Sequence, residues 1–326
     1  MITSFFKTSK PIHYIIFLSV LISMFAYQRI VVVDYEGSLS KTLNELGYLF
    51  ILLTSFFTLV FVVTKNNLTQ NNGYAALYFC LFIGLIPTSL ETNSVLISNA
   101  FILLSIRRIM SLKTNSNIKK KVFDASMWIC LAAIFEPWAI LFFLVLFFGM
   151  GLYAVNQIKN FTIPFCGILA VGILLTIYRL LTDNALPSVT EYLPTINFKN
   201  FSFNNAIMET ESYLFLAIVL IGIVSFMVKV FLKNRIKIPS IIVLILAAII
   251  GISIAFVSKN HGLGSYLFAF APSSVVLANF SETTKYYLLS NLLIGILIFT
   301  VLIQLSLNIY SLFNETKELH LYLFHK

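Results

Sequence analysis

Charge is scarce in this sequence. Asp, Glu, Lys and Arg make up 11% of the 326 residues, against roughly 25% in a soluble domain. A soluble fold needs charge to cover its surface, so a water-exposed globule is excluded. Acidic residues are the scarcer sign, 13 against 22 basic ones, and only five of those 22 are Arg. With so little Arg and no aromatic stacking pattern beside the basic residues, a nucleic-acid surface is not expected, despite the net charge of +9. Cysteine is limited to Cys80, Cys130 and Cys166, in three separate apolar runs and never as CxxC. That excludes a dense disulfide framework and reads as small buried hydrophobes. The four histidines, His13, His261, His320 and His325, have no ligand spacing, so no metal site is expected. No P-loop, GxGxxG, HExxH or GxSxG occurs, which leaves ATP-driven and soluble-type hydrolase chemistry without support and names no cofactor.

What fills the chain instead is apolar residue, 59% of it, with a mean hydropathy of +0.92. A spanning helix takes about 20 apolar residues. Read by run length, the segments 12–28, 46–64, 74–90, 93–111, 122–135, 138–155, 161–181, 212–232, 238–257, 265–280 and 286–310 predict an all-α polytopic bundle of about 11 spans. The chain is read as a single transmembrane domain over 1–326. The run 122–155 is too long for one crossing, since a helix rises 1.5 Å per residue and the hydrocarbon core is about 30 Å thick. Glu136-Pro137-Trp138 interrupts it, so it is read as two short spans joined by a tight turn. The run 265–280 is short and contains Pro272, which leaves a true span and a re-entrant element both open. One long connection, about 183–212, carries Tyr192, Phe198, Phe201 and Phe203 at positions suited to a lipid interface.

The basic residues orient the bundle. Lys7 and Lys10 precede the first apolar run, which ends at Tyr27-Gln28-Arg29 without a small-residue cleavage site. It is therefore read as a retained helix with a cytoplasmic N-terminus. Threading from there puts 15 of the 22 Lys and Arg on the cytoplasmic side, six of them in Arg107–Lys121, and most acidic residues outside. An odd number of spans then leaves the C-terminus in the periplasm. The Arg107–Lys121 segment can also attract anionic lipid, at about 1 kcal/mol per charge, or a cytoplasmic partner.

Several residues stand out against this background. Asp34 and Glu36, in Val33-Asp34-Tyr35-Glu36-Gly37, put two carboxylates directly after the first span. A carboxylate there can take a proton from an acceptor hydroxyl or hold a divalent cation near phosphate. Membrane glycosyltransferases of the GT-C type place an acidic residue in their first outer loop, and the layout here is similar, although the loop is shorter. Solvated loop decoration is the competing reading. Arg179 ends the seventh span, where a guanidinium can grip lipid phosphate or simply reach the interface. Glu136 sits inside an apolar region, as a proton-carrying carboxylate on a transport pathway or as the exposed tip of the hairpin. Glu91, after Pro87, is expected at the outer surface. Ser94, Ser98 and Ser105 share a helix face with Asn99 adjacent, suited to close packing or to a polar pathway. Pro272, followed by Ser273 and Ser274, could mark a broken helix lining such a pathway.

The opening Met1-Ile2-Thr3-Ser4-Phe5-Phe6-Lys7, the stretch Lys121-Val122-Phe123-Asp124-Ala125 and the late Phe268-Ala269-Phe270-Ala271-Pro272, with the overall hydropathy, resemble a family of multi-pass inner-membrane proteins of Bacteroidota without assigned activity. The resemblance runs over the whole chain. It implies a Gram-negative inner membrane, so that the outer side is the periplasm, and it implies no catalytic residue.

Three functional expectations follow. The first is an accessory or scaffold component of an envelope process, with an envelope protein as partner. The second is a transferase taking polyprenyl-phosphate-linked sugar at the periplasmic face, with Asp34 and Glu36 as base or metal contacts and Arg179 on the phosphate. The third is a secondary transporter, with Glu136 and Pro272 on its pathway.

Overall fold

Apolar runs of this length have one stable form in lipid, because a helix satisfies its own backbone hydrogen bonds. The computed structural model describes residues 5–32, 39–153, 158–184, 186, 188, 192–194, 206–232, 238–258, 262–283 and 287–324. All regular structure among them is helical. The helices are α1 (Pro11–Ala26), α2 (Leu39–Lys65), α3 (Tyr74–Leu85), α4 (Asn93–Ser111), α5 (Ile118–Phe135), α6 (Phe142–Leu152), α7 (Ile163–Asp183), α8 (Ala206–Leu232), α9 (Ile238–Val257), α10 (Leu267–Thr283) and α11 (Tyr287–Phe324).

Each helix falls on one of the eleven apolar segments. Eight of them, with their short flanking turns, are long and apolar enough to cross a membrane. The other three are α3 and α6, which are short, and α5, which carries Lys119, Lys120, Lys121 and Asp124. The protein is thus an all-helical membrane protein with eight membrane-length helices among the described residues.

Local chemistry explains the helix ends. Pro11 and Pro164 lie in first turns, where a missing N–H costs nothing. Asn67, Asn115, Asn117 and Asn184 adopt positive φ, the left-handed geometry that ends or turns a helix and that Asn tolerates. Pro137 stops α5 and forces the turn into α6, as the hairpin reading requires. Pro272 differs from expectation. The helix runs unbroken through it from Leu267 to Thr283, so the segment is a continuous helix and not a broken one. Pro272 lies in the second turn, where only one backbone hydrogen bond, to the carbonyl of Phe268, is forfeited.

The helices align with two ends. On one end, the backbone of Phe6 and Ser9 bonds the α2–α3 link at Gly73 and Asn71. Glu282 at the end of α10 accepts from the backbone N–H of Gln70 at 2.7 Å and from the Asn72 amide. Lys65, Arg107, Arg108 and Lys121 also lie here, and this end is called the basic face. The opposite face collects the end of α1, the start of α2, the α3–α4 and α5–α6 links, and the α9–α10 junction.

Helix α10 occupies the centre, packed by α9, α3 and α8, with α4 and α11 also touching it. About nine-tenths of its membrane-length segment is buried inside the protein. Gly251 of α9 permits its closest approach: a Cβ there would stand 2.7 Å from the Ala269 backbone nitrogen. Phe82, Phe215, Tyr266 and Phe270 interlock around it, with ring centroids 4.8–5.8 Å apart. Helix α7 is the outlier, packed chiefly on α5 and mostly facing outward.

Candidate functional site

Among the described residues, the buried formally charged side chains are Arg29, Glu136 and Glu211, and all three belong to the opposite face. Burying charge is expensive unless partners compensate it. Each of the three therefore marks a place where the chain has built a specific polar environment.

Arg29 lies just past α1, in a π-helical turn over Tyr27–Val32. Only 6% of its surface is exposed. Its guanidinium rests near the Phe25 ring, 5.4 Å from the centroid, and the Tyr48 ring, 5.5 Å away. Nη2 donates to Asn93 Oδ1 at 2.5 Å, and Nε lies 3.5 Å from Glu45 Oε2. Phe25 is one turn before Arg29 on α1, while Glu45 and Tyr48 are one turn apart on α2, so helix spacing builds the pocket from two sides. Asn93 is supplied by the first residue of α4. Next to it, Gln28 donates from Nε2 to Glu91 Oε1 at 2.7 Å. Loss of water raises the Glu91 carboxyl pKa, an effect opposed by the Gln28 hydrogen bond and the Arg29 charge.

Glu136 caps the end of α5 and is 2% exposed. The Ser258 hydroxyl, just after α9, donates to Glu136 Oε1 at 3.3 Å. Glu136 therefore sits at the hairpin turn, as expected, but it is enclosed and not an exposed tip. The reason is Ser258 and the end of α9, which close over the turn. Glu91 does lie at the surface, as expected.

Glu211, 8% exposed, accepts a hydrogen bond from Gln304 Nε2 of α11. Its neighbour Ser212 shares a hydrogen bond with Tyr266, at the threshold of α10. The start of α10 packs on the α3–α4 link, where Gly264 lies against Thr92.

The other expected residues fare differently. Asp34 and Glu36 lie outside the described residues, as does most of the 183–212 connection. Arg179 is engaged on its own helix and by the connection that follows: Nη1 donates to Asp183 Oδ2 at 2.6 Å and Nε to Tyr192 Oη at 3.4 Å. Pro272, Ser273 and Ser274 are buried in the middle of the bundle. Ser98, Asn99 and Ser105 are also buried, and the Ser98 hydroxyl bonds the Ala132 carbonyl of α5 at 3.0 Å, which is the packing role expected of such residues. Ser94 lies only partly buried.

Sequence reasoning missed Arg29, Glu45, Asn93 and Glu211 as a set. Arg29 served there only as an end marker for the first run. The signal that could have found it is the Phe25–Arg29 spacing, which lays a guanidinium back along an aromatic side chain. No group of three or more His, Cys, Asp or Glu among the described residues is arranged to hold a metal ion. Comparison of the chain with protein-family models, with curated proteins and with solved structures found no match in any of the three.

Proposed function

We propose that the protein is an accessory component of an envelope process in a bacterial inner membrane, with its N-terminus in the cytoplasm, all eleven segments crossing, and its working side at the periplasmic face. One observation carries this reading. The buried charges of the described chain are confined to the opposite face, and each sits at its own helix junction with its own partners. An active site draws its polar groups to one point. Charges spread over separate junctions instead fix the relative positions of helix ends, which suits a surface that a partner protein must recognise. The basic residues at the other end support the orientation, since Lys and Arg are enriched in cytoplasmic segments.

The transporter reading draws on a different observation, the enclosure of Glu136, since an ionisable group shut away from water in a membrane protein is a candidate proton carrier. The transferase reading keeps Asp34 and Glu36 as its test, with Arg179 already engaged by Asp183.

One experiment separates the three. The gene is deleted, and envelope glycans, glycolipids and membrane complexes are profiled. The strain is then restored with wild type, with Asp34→Asn/Glu36→Gln, or with Glu136→Gln, each shown to insert at normal level. Repair by both variants, together with an envelope protein that co-purifies in mild detergent, is the expected result. Failure of the carboxylate double variant alone would move the transferase to the front, and failure of Glu136→Gln alone the transporter.

A further inference from the structure

Four cations gather where α2, α4 and α5 meet on the basic face. Lys65 ends α2, Arg108 lies in the last turn of α4 with Arg107 just before it, and Lys121 lies in the first turn of α5. The Phe61 ring carries two of them, with Lys65 Nζ 5.1 Å and Arg107 Cζ 4.6 Å from its centroid. The other two are held by the protein itself. Arg108 Nη2 lies 2.9 Å from Asp124 Oδ2, and Lys121 Nζ donates to the Ser111 carbonyl and the Thr114 hydroxyl, each at 2.6 Å. Burial lowers the Lys121 pKa, and the charges of Arg108 and Lys65 lower it further, so these cations feel one another. Among the described residues, Asp124 is the one carboxylate paired with the group, and positive charge is in excess.

The surroundings indicate what balances that excess. Phe57, Phe61 and Lys65 follow at four-residue steps, so they form one stripe along α2. Phe57 is 50% and Phe61 38% exposed, on a membrane-length helix. The stripe is therefore apolar within the membrane and cationic at its edge. That order matches an acyl chain ending in a phosphate, and a free phosphate has no use for the apolar part. A guanidinium matches phosphate geometry, and an ammonium beside it adds a point charge. We infer that Lys65 and Arg107, positioned on Phe61, bind the phosphate of an anionic membrane phospholipid whose acyl chain lies along Phe61 and Phe57. The inference is independent of what the opposite face does.

The test is native mass spectrometry of the full chain, released from micelles holding equal amounts of phosphatidylglycerol and phosphatidylcholine. Wild type is expected to retain phosphatidylglycerol in clear preference. Lys65→Gln/Arg107→Gln is expected to lose about tenfold or more of that preference, in line with about 1 kcal/mol per basic residue. Lys119→Gln/Lys120→Gln removes the same charge from exposed positions nearby and is expected to keep it. Equal retention of the two lipids by wild type would overturn the site, as would equal losses in both double variants, which would mean diffuse attraction. Full displacement of phosphatidylglycerol by millimolar inorganic phosphate would overturn the lipid assignment in favour of a free anion.

Discussion

Arg29 and Asn93, 64 positions apart in the chain, meet through a 2.5 Å hydrogen bond that ties the end of α1 to the start of α4. Glu45 of α2 approaches the same guanidinium. Three helices are thus pinned at one end by a single buried cation, and the energetics of that pin can be measured.

Arg29→Gln and Glu45→Gln should each lower thermal stability in detergent, Arg29→Gln by more, because it also removes the hydrogen bond to Asn93 and the guanidinium packed on Phe25 and Tyr48. The double variant should lose less than the sum of the two, with a coupling of about 0.5–3 kcal/mol, the range for directly interacting groups. Strict additivity of the three melting shifts would show that the pair has no energetic link.

Gly251→Ala places a methyl group against the Ala269 backbone, which cannot swing aside as a side chain can. A loss of about 1–3 kcal/mol is expected, typical of overpacking. Gly172→Ala is the control, since nothing lies within 4 Å of a Cβ there, and it should be neutral or slightly stabilising. Equal melting temperatures for the two variants would contradict the close α9–α10 approach.

Pro272→Ala should not disturb the fold. The helix is continuous, and the substitution returns a backbone N–H that can bond the Phe268 carbonyl. An unchanged or higher melting temperature is expected, against a reference cost of about 3 kcal/mol for a helix-interior proline. A large loss of stability would mean that the ring itself fills space that alanine leaves empty.

Glu91 sets a pH dependence of definite sign. Its carboxyl lies at the surface but is partly shielded from water, and that partial desolvation is the main reason its pKa is raised from the ordinary 4.5. The folded state therefore holds this proton more tightly than the unfolded state, and stability falls as pH rises from the unfolded value through the folded one. Relative to Glu91→Gln, wild type should lose melting temperature as pH rises above the ordinary 4.5. A difference that stays flat or grows in favour of wild type would refute the raised value.

Much of the architecture was legible because hydropathy and helix geometry are local. Every apolar segment became one helix, and Glu136-Pro137 became the turn between α5 and α6. The start of α8 was harder to read. Glu211 looked like the end of a polar loop, yet it lies inside a helix that begins at Ala206, because Gln304 of α11 supplies its partner. Arg29 was opaque for the same reason: what permits its burial is Asn93, Glu45 and Tyr48, and none of them is its sequence neighbour. Pro272 misled in the other direction. Its helix-breaking tendency is real, but the loss is a single hydrogen bond early in a helix enclosed on all sides.

Helix α10 is the least apolar of the eight membrane-length helices and also the most enclosed, whereas α7 is the least enclosed. Such a segment has little reason to stay in a bilayer alone, since lipid offers its serines nothing. Its neighbours α3, α4, α8 and α9 all precede it in the chain. During synthesis they can stand in the membrane first and leave a slot that α10 fills on arrival. In assembly terms α10 is the keystone: its own hydrophobicity matters less than the readiness of the arch, and damage to an earlier helix should surface as failure of this late one to enter.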